Sequence, residues 1–123
     1  MIEEFKNSSF QNFLSAYEVK NPKSFGLIKI KSGRVVGFLE KPTVKNLDNV
    51  APYYINPGFY IFSPKVFKEF PKKSFSVEKE VFPKLACSRQ LGAFTYKGFW
   101  QDVGTEERLE QVRKMFKNKS FKI

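Results

Sequence analysis

Apolar and polar positions alternate, or recur at helical spacing, in short blocks along the whole chain. Ile2 and Phe5 with Glu3, Glu4 and Lys6 between them predict a short N-terminal helix, and Phe13, Ser15, Tyr17 and Val19 then alternate as in a strand. Two apolar runs, residues 26–30 and 34–40, flank Lys31-Ser32-Gly33 and predict a hairpin whose turn uses Gly33 at positive φ. Residues 41–52, polar and bounded by Pro42 and Pro52, read as a loop. The aromatic and β-branched run 53–62 predicts a strand kinked at Pro57-Gly58, because Pro lacks the ladder donor and Gly has no side chain to pack.

Helix signals dominate the second half. Ser63-Pro64 opens one helix, with Val66, Phe67 and Phe70 as its stripe, and Ser76 caps a second that carries Glu78 and Glu80 in its first turn. Val77, Val81, Phe82 and Leu85 form its inward face, and Pro83 should kink or split it. Residues 91–103 predict a strand or a bent pair of strands. Thr105 then caps a last helix with Leu109, Val112 and Phe116 on one face, and Glu106 and Glu107 against Arg113 and Lys114 match the dipole at both ends. Strands mixed with helices, without internal repeats, imply an α/β fold.

Composition narrows the chemistry. At 123 residues, 41% hydrophobic and with fifteen Phe, the chain has the apolar content of one globular unit. The formal charge is +10, yet the cations are spread from Lys6 to Lys122, with the densest group at Arg113, Lys114, Lys117, Lys119 and Lys122. Nucleic-acid binders concentrate charge in a patch or stripe, so a solvated basic surface or a phosphate-bearing small substrate accounts for it better. Cys87 is the single cysteine and there is no His, which excludes an internal disulfide, Cys/His metal sites and Ser-His or Cys-His nucleophiles. No apolar run approaches the ~18 residues of a membrane span, and Met1-Ile2-Glu3-Glu4 is unlike a signal peptide, so the expected location is cytoplasmic.

Three groups of residues carry candidate chemistry, each with two readings. Glu40-Lys41-Pro42 lies where a strand runs into a loop, a place where ligand groups gather in open α/β sheets, or is an ordinary charged strand end. Asn56-Pro57-Gly58 interrupts an apolar strand, as turn chemistry or as a ligand contact. Asp102, in Trp100-Gln101-Asp102-Val103-Gly104-Thr105, can ligate Mg²⁺, which accepts few carboxylates alongside substrate phosphates, or can bond backbone donors near Thr105.

In this order the motifs resemble the sugar-phosphate half of the sugar-1-phosphate nucleotidyltransferases. The resemblance runs through Phe25-Gly26, Gly33-Arg34-Val35-Val36, Phe38-Leu39-Glu40-Lys41-Pro42 and Ile55-Asn56-Pro57-Gly58-Phe59-Tyr60-Ile61-Phe62-Ser63-Pro64. It continues through Ser76-Val77-Glu78-Lys79-Glu80-Val81-Phe82-Pro83 and Gly98-Phe99-Trp100-Gln101-Asp102-Val103-Gly104-Thr105, covering about residues 13–116. The last two motifs look most like mannose-1-phosphate guanylyltransferases.

The resemblance implies the C-terminal half of a Rossmann-like nucleotide-diphospho-sugar transferase fold with a mixed sheet. It implies that Gly26, Glu40, Asn56 and Gly58 line the sugar site, that Lys41 neutralises the sugar phosphate, and that Asp102 holds a catalytic Mg²⁺. The implied reaction is attack of the sugar phosphate oxygen on the α-phosphorus of an NTP, expelling pyrophosphate; with GTP and mannose 1-phosphate the product is GDP-mannose. Positioning and charge stabilisation drive such chemistry, so it needs neither His nor Cys.

Family members open with a Gly-rich loop around the nucleotide phosphates, whereas no two glycines here lie closer than four residues apart. A second metal-binding Asp expected before Ile2 also has no counterpart. The expectation is therefore a partial domain, residues 1–123, inactive alone, with an exposed sheet edge that self-association or a partner chain would cover. The alternatives are a non-catalytic partner-binding subunit, a truncated fragment and, least favoured, a basic nucleic-acid-binding module.

Overall fold

A computed structural model describes residues 1–20, 22, 26–39, 52–70 and 74–118. The elements in chain order are helix α1 (Ile2–Asn7), strands β1 (Asn12–Val19), β2 (Leu27–Lys31), β3 (Arg34–Leu39), β4 (Tyr53–Ile55) and β5 (Tyr60–Ile61), and helix α2 (Lys65–Lys68). A wide, π-type helical turn (Val77–Val81), helix α3 (Phe82–Cys87), strand β6 (Leu91–Tyr96) and helix α4 (Glu106–Lys117) complete it. The sheet is mixed, in the order β4-β2-β3-β6-β1-β5, and β4 also pairs with β1. Among the described residues, only the β1–β6 pair is parallel.

β1 is the central strand. The expected alternation is replaced by continuous burial of Asn12, Phe13, Leu14, Ser15 and Ala16, because both edges are paired and both faces are covered. Leu14 and Ala16 join the main core with α3, while the Phe13 ring faces Phe5 of α1 at 5.8 Å and Phe10 at 6.3 Å. Phe13 lies level with Gly92 of β6, where an added Cβ would meet the Phe13 ring at 2.3 Å. That position needs glycine because the ring occupies the side-chain space. The two buried polar residues of β1 are satisfied. Asn12 donates to Gln90 O at 3.3 Å and accepts from Ser63 N at 3.0 Å, and Ser15 donates through both N and Oγ to Phe59 O at 2.9 and 2.8 Å.

The predicted hairpin is present as β2–β3, and Ser32 joins Gly33 at positive φ, a two-residue turn whose twist suits a hairpin. The pairing passes from Lys29–Gly37 to Ile30–Val35, so Val36 is a bulged extra residue.

The predicted strand 53–62 is two short strands, β4 and β5, both antiparallel to β1, with residues 56–59 bulged out between them. The missing Pro57 donor and the positive φ of Gly58, 93°, break the ladder rather than merely bend it.

Ser76 caps its helix as expected, accepting from Lys79 N at 3.2 Å, and Glu80 Oε1 returns the favour to Ser76 N at 3.0 Å. Pro83 makes the helix change pitch: Phe82 N–H reaches back five residues to Val77 O, and α3 continues from there. A proline ring displaces the carbonyl four residues before it, and a wide turn accommodates that. α3 lays Phe82 and Leu85 against the sheet, each contributing about 1.5–3 kcal/mol by burial. Phe82 stacks on Phe38 and Phe62 and meets Tyr60 edge-on at 4.9 Å.

The run 91–103 is one strand, not two. β6 ends at Tyr96, and residues 97–105 are irregular up to the Thr105 cap, whose Oγ1 accepts from Arg108 N at 3.3 Å. The apolar stripe expected on α4 exists, but no α4 residue is buried. Among the described residues, no helix is long and apolar enough to cross a membrane.

Candidate functional site

The break between β4 and β5 creates the site. It places Asn56 at the mouth of a cleft of about 220 Å³ lined by Gly26, Leu27, Ile28, Phe38, Leu39, Ile55, Asn56, Glu78 and Phe82. This is smaller than the ~300–1,000 Å³ of pockets for drug-sized ligands. Its floor is apolar, since Ile55 and Phe82 are fully buried, and its polar groups gather on one side.

Asn56 organises that side. Its Nδ2 donates to Tyr60 Oη at 2.8 Å and to Glu78 Oε1 at 3.2 Å, while its Oδ1 accepts from Gly58 N at 3.0 Å. The amide is thus locked from three directions and its orientation is defined. Among the described residues, Glu78 Oε2 has no hydrogen-bond donor, so one strong acceptor remains available to a hydroxylated ligand. Burial pushes the Tyr60 phenol above its ordinary value of 10.0. The Asn56 hydrogen bond opposes this, and the Glu78 charge adds to it. Tyr60 therefore stays neutral at physiological pH, able to donate as well as accept.

Of the residues singled out from sequence, Gly26 and Asn56 line the cleft together. Gly58 stands behind Asn56, holding its carbonyl oxygen through a backbone N–H, and its positive φ is a conformation other residues rarely adopt. Glu40 and Lys41 lie outside the described residues. Glu78 lines the cleft and Tyr60 bonds Asn56 beside it, although neither is singled out by the sequence reading as a candidate site residue. Both Glu78 and Glu80 are first-turn dipole charges by sequence, but Glu80 accepts from Ser76 N whereas Glu78 faces Asn56. A second acidic residue beside a cap already served was the signal.

Asp102 is not in the cleft lining. Tyr17 anchors the segment leading to it, donating from Oη to Gly98 O at 2.8 Å and packing on Trp100 with ring centres 5.6 Å apart. Asp102 Oδ1 accepts from Gly104 N at 2.7 Å, and Oδ2 is ion-paired with Arg108 Nη1. Both oxygens are thus engaged. Among the described residues there is no group of three or more His, Cys, Asp or Glu side chains placed to hold a metal ion. With Oδ1 and Oδ2 engaged in this way, Asp102 as arranged here does not offer an open carboxylate to Mg²⁺, which takes one or two carboxylates together with substrate phosphates and water.

A mixed sheet backed by helices, with a cleft at a broken strand, is the α/β arrangement of the Rossmann-like nucleotidyltransferase fold. The sequence matches the family described as Nucleotidyl transferase over residues 1–119, and the chain belongs to that family. It is 32% identical over 120 residues to the probable mannose-1-phosphate guanylyltransferase 3 of Arabidopsis thaliana, covering 96% of this chain and 35% of that protein. With the mannose-1-phosphate guanyltransferase beta-B of Xenopus laevis it shares 35% identity over 106 residues, 85% of this chain and 28% of the relative. The crystal structure of HddC from Yersinia pseudotuberculosis superposes with a TM-score of 0.72 at 25% identity, over 94% of this chain and 49% of HddC. The chain therefore spans about a third of the length of these two guanylyltransferases and about half of HddC.

Proposed function

We propose that the chain binds a sugar 1-phosphate in the Asn56 cleft and serves a nucleotidyl transfer that makes an NDP-sugar and pyrophosphate. Mannose 1-phosphate with GTP is the favoured pair. The observation that carries this reading is the convergence of Gly26, Asn56 and Glu78, from three separate motifs, on one small cleft. Family membership supplies the reaction class.

In this reading Glu78 Oε2 accepts a sugar hydroxyl, the Asn56–Tyr60 pair fixes the sugar's orientation, and the apolar floor takes its C–H face. Lys41 neutralises the phosphate. The cleft's own residues orient the phosphate oxygen for in-line attack on the nucleotide α-phosphorus, so their contribution is positioning. The described residues include no Gly-rich phosphate loop, and the proposal assigns the nucleotide's phosphates to a further segment or chain.

Calorimetric titration of the folded chain with mannose 1-phosphate and glucose 1-phosphate tests this. Saturable binding, weakened at least about tenfold by Asn56→Ala, is the expected result; a single lost charge-assisted hydrogen bond is worth roughly that much. Saturation by glucose 1-phosphate alone would remove the mannose assignment and leave the class standing. No saturation with either sugar phosphate overturns the proposal.

A further inference from the structure

Asp102 already has a cation. Arg108 Nη1 is ion-paired with Oδ2, Gly104 N donates to Oδ1 at 2.7 Å, and the two charged side chains are 37% and 42% exposed for Asp102 and Arg108 respectively. The arrangement is built into the helix start. Thr105 Oγ1 accepts from Arg108 N at 3.3 Å, which sets Arg108 in the first turn of α4 with its guanidinium reaching back to the residue three positions before the cap. The nearby carboxylates do not compete for Arg108, since Glu110 pairs instead with Arg113 at 3.4 Å, and Glu106 and Glu107 form no ion pair among the described residues. A guanidinium presents several N–H groups in one plane and keeps its charge at any pH a protein survives, so it is a persistent partner.

We infer that Arg108 is an internal counter-ion that closes Asp102 to divalent cations in the free chain, acting as a positioning residue on that carboxylate. Mg²⁺ binds through open carboxylate oxygens at about 2.0–2.1 Å and gives up its water reluctantly. Here Oδ2 is occupied by Arg108 and Oδ1 by a backbone donor. A divalent ion at Asp102 would also stand within a few ångströms of a fixed positive charge. This inference does not depend on the sugar-phosphate reading.

The test is titration of the ¹⁵N-labelled chain with Mn²⁺, read as paramagnetic broadening of the Gly104 amide, whose N–H touches Asp102. The amides of Glu106 and Glu107 report non-selective association with exposed carboxylates. In the wild-type chain, Gly104 is expected to broaden no more than those two. In Arg108→Gln and in Arg108→Ala, Gly104 is expected to broaden selectively at roughly tenfold lower Mn²⁺, the effect of removing one unit charge beside a divalent ion in a largely aqueous dielectric. Adding Asp102→Asn to either variant should abolish the selectivity. The wild-type spectrum serves as the reference for folding, and signals from β1 and β6 should hold their positions in every variant. Selective broadening of Gly104 in the wild-type chain at the concentrations that broaden it in the variants overturns the inference. So does an absence of selective broadening in both Arg108 variants.

Discussion

In the cleft, Asn56 bonds Glu78 across twenty-two residues of chain, and the bulge that presents it is pinned to β1 by Ser15 across forty-four. Among the described residues, the hydrogen bonds of Asp102 and of the Thr105 cap span six residues or fewer, and α4 buries none of its side chains. One region is held in place by the core; the other organises itself locally and is tethered to the sheet through Tyr17. The cleft is consequently as stable as the domain, whereas the α4 segment can open at lower cost. For a ligand site the first arrangement supplies preorganisation. The second suits an element whose contacts change when another molecule arrives.

The comparison breaks most decisively at Phe82, which is 1% exposed and stacked among Phe38, Tyr60 and Phe62 under the cleft floor. Phe82→Ala should cost about 3–5 kcal/mol in urea denaturation, a large share of a small domain's stability. A loss below about 1 kcal/mol would mean that the cleft does not rest on the core.

Next in size is the contrast between the two polar centres. Asn56→Ala removes three hydrogen bonds, to half-buried Tyr60, to exposed Glu78 and from Gly58 N, and should lower global stability by about 1–3 kcal/mol. Asp102→Ala, which removes a partly exposed pair, should cost less than about 1 kcal/mol by the same denaturation. Equal effects would erase the distinction between them.

Thr105→Ala sharpens the point further. Loss of this cap should weaken α4 by about 0.5–2 kcal/mol. The expected readout is faster amide exchange in α4 with an unchanged denaturation midpoint, because the helix contributes nothing buried to the global transition.

The smallest effect is in pH. The folded Tyr60 phenol keeps its proton above 10.0, while in the unfolded chain it ionises at about that value, so the unfolded state loses the proton first. The stability associated with Tyr60 is fully present below pH 10 and falls as pH rises through the interval up to the folded pKa. Tyr60→Phe should flatten that part of the stability profile, and an unchanged slope would place the pH dependence on other groups.

Local elements were largely legible because their causes are local. The Ser76 and Thr105 caps, the Ser32-Gly33 turn and the interruption at Pro57-Gly58 follow from residues within a few positions of each other. Gly26 and Asn56 are singled out through family resemblance, and the structure brings both to one cleft. Glu78 and Tyr60 were not, since their role exists only where residues distant in sequence meet. The burial of Ser15 was hidden for the same reason: its hydroxyl is acceptable inside because Phe59 O lies opposite.

By itself the sequence determined the family, the mixture of strands and helices, the absence of His and Cys-pair chemistry, and the places where the chain turns, caps or breaks its ladder, all of which depend on backbone propensity and side-chain type. Tertiary structure alone decided which strands became neighbours and that β1 would be buried on both faces. It also decided that Gly92 must yield its side-chain space to Phe13, and that the stripe on α4 would stay unburied. Hydrogen bonds and ion pairs are directional and act over about 3 Å, so whether two such groups meet is settled by the packed chain rather than by their spacing along it.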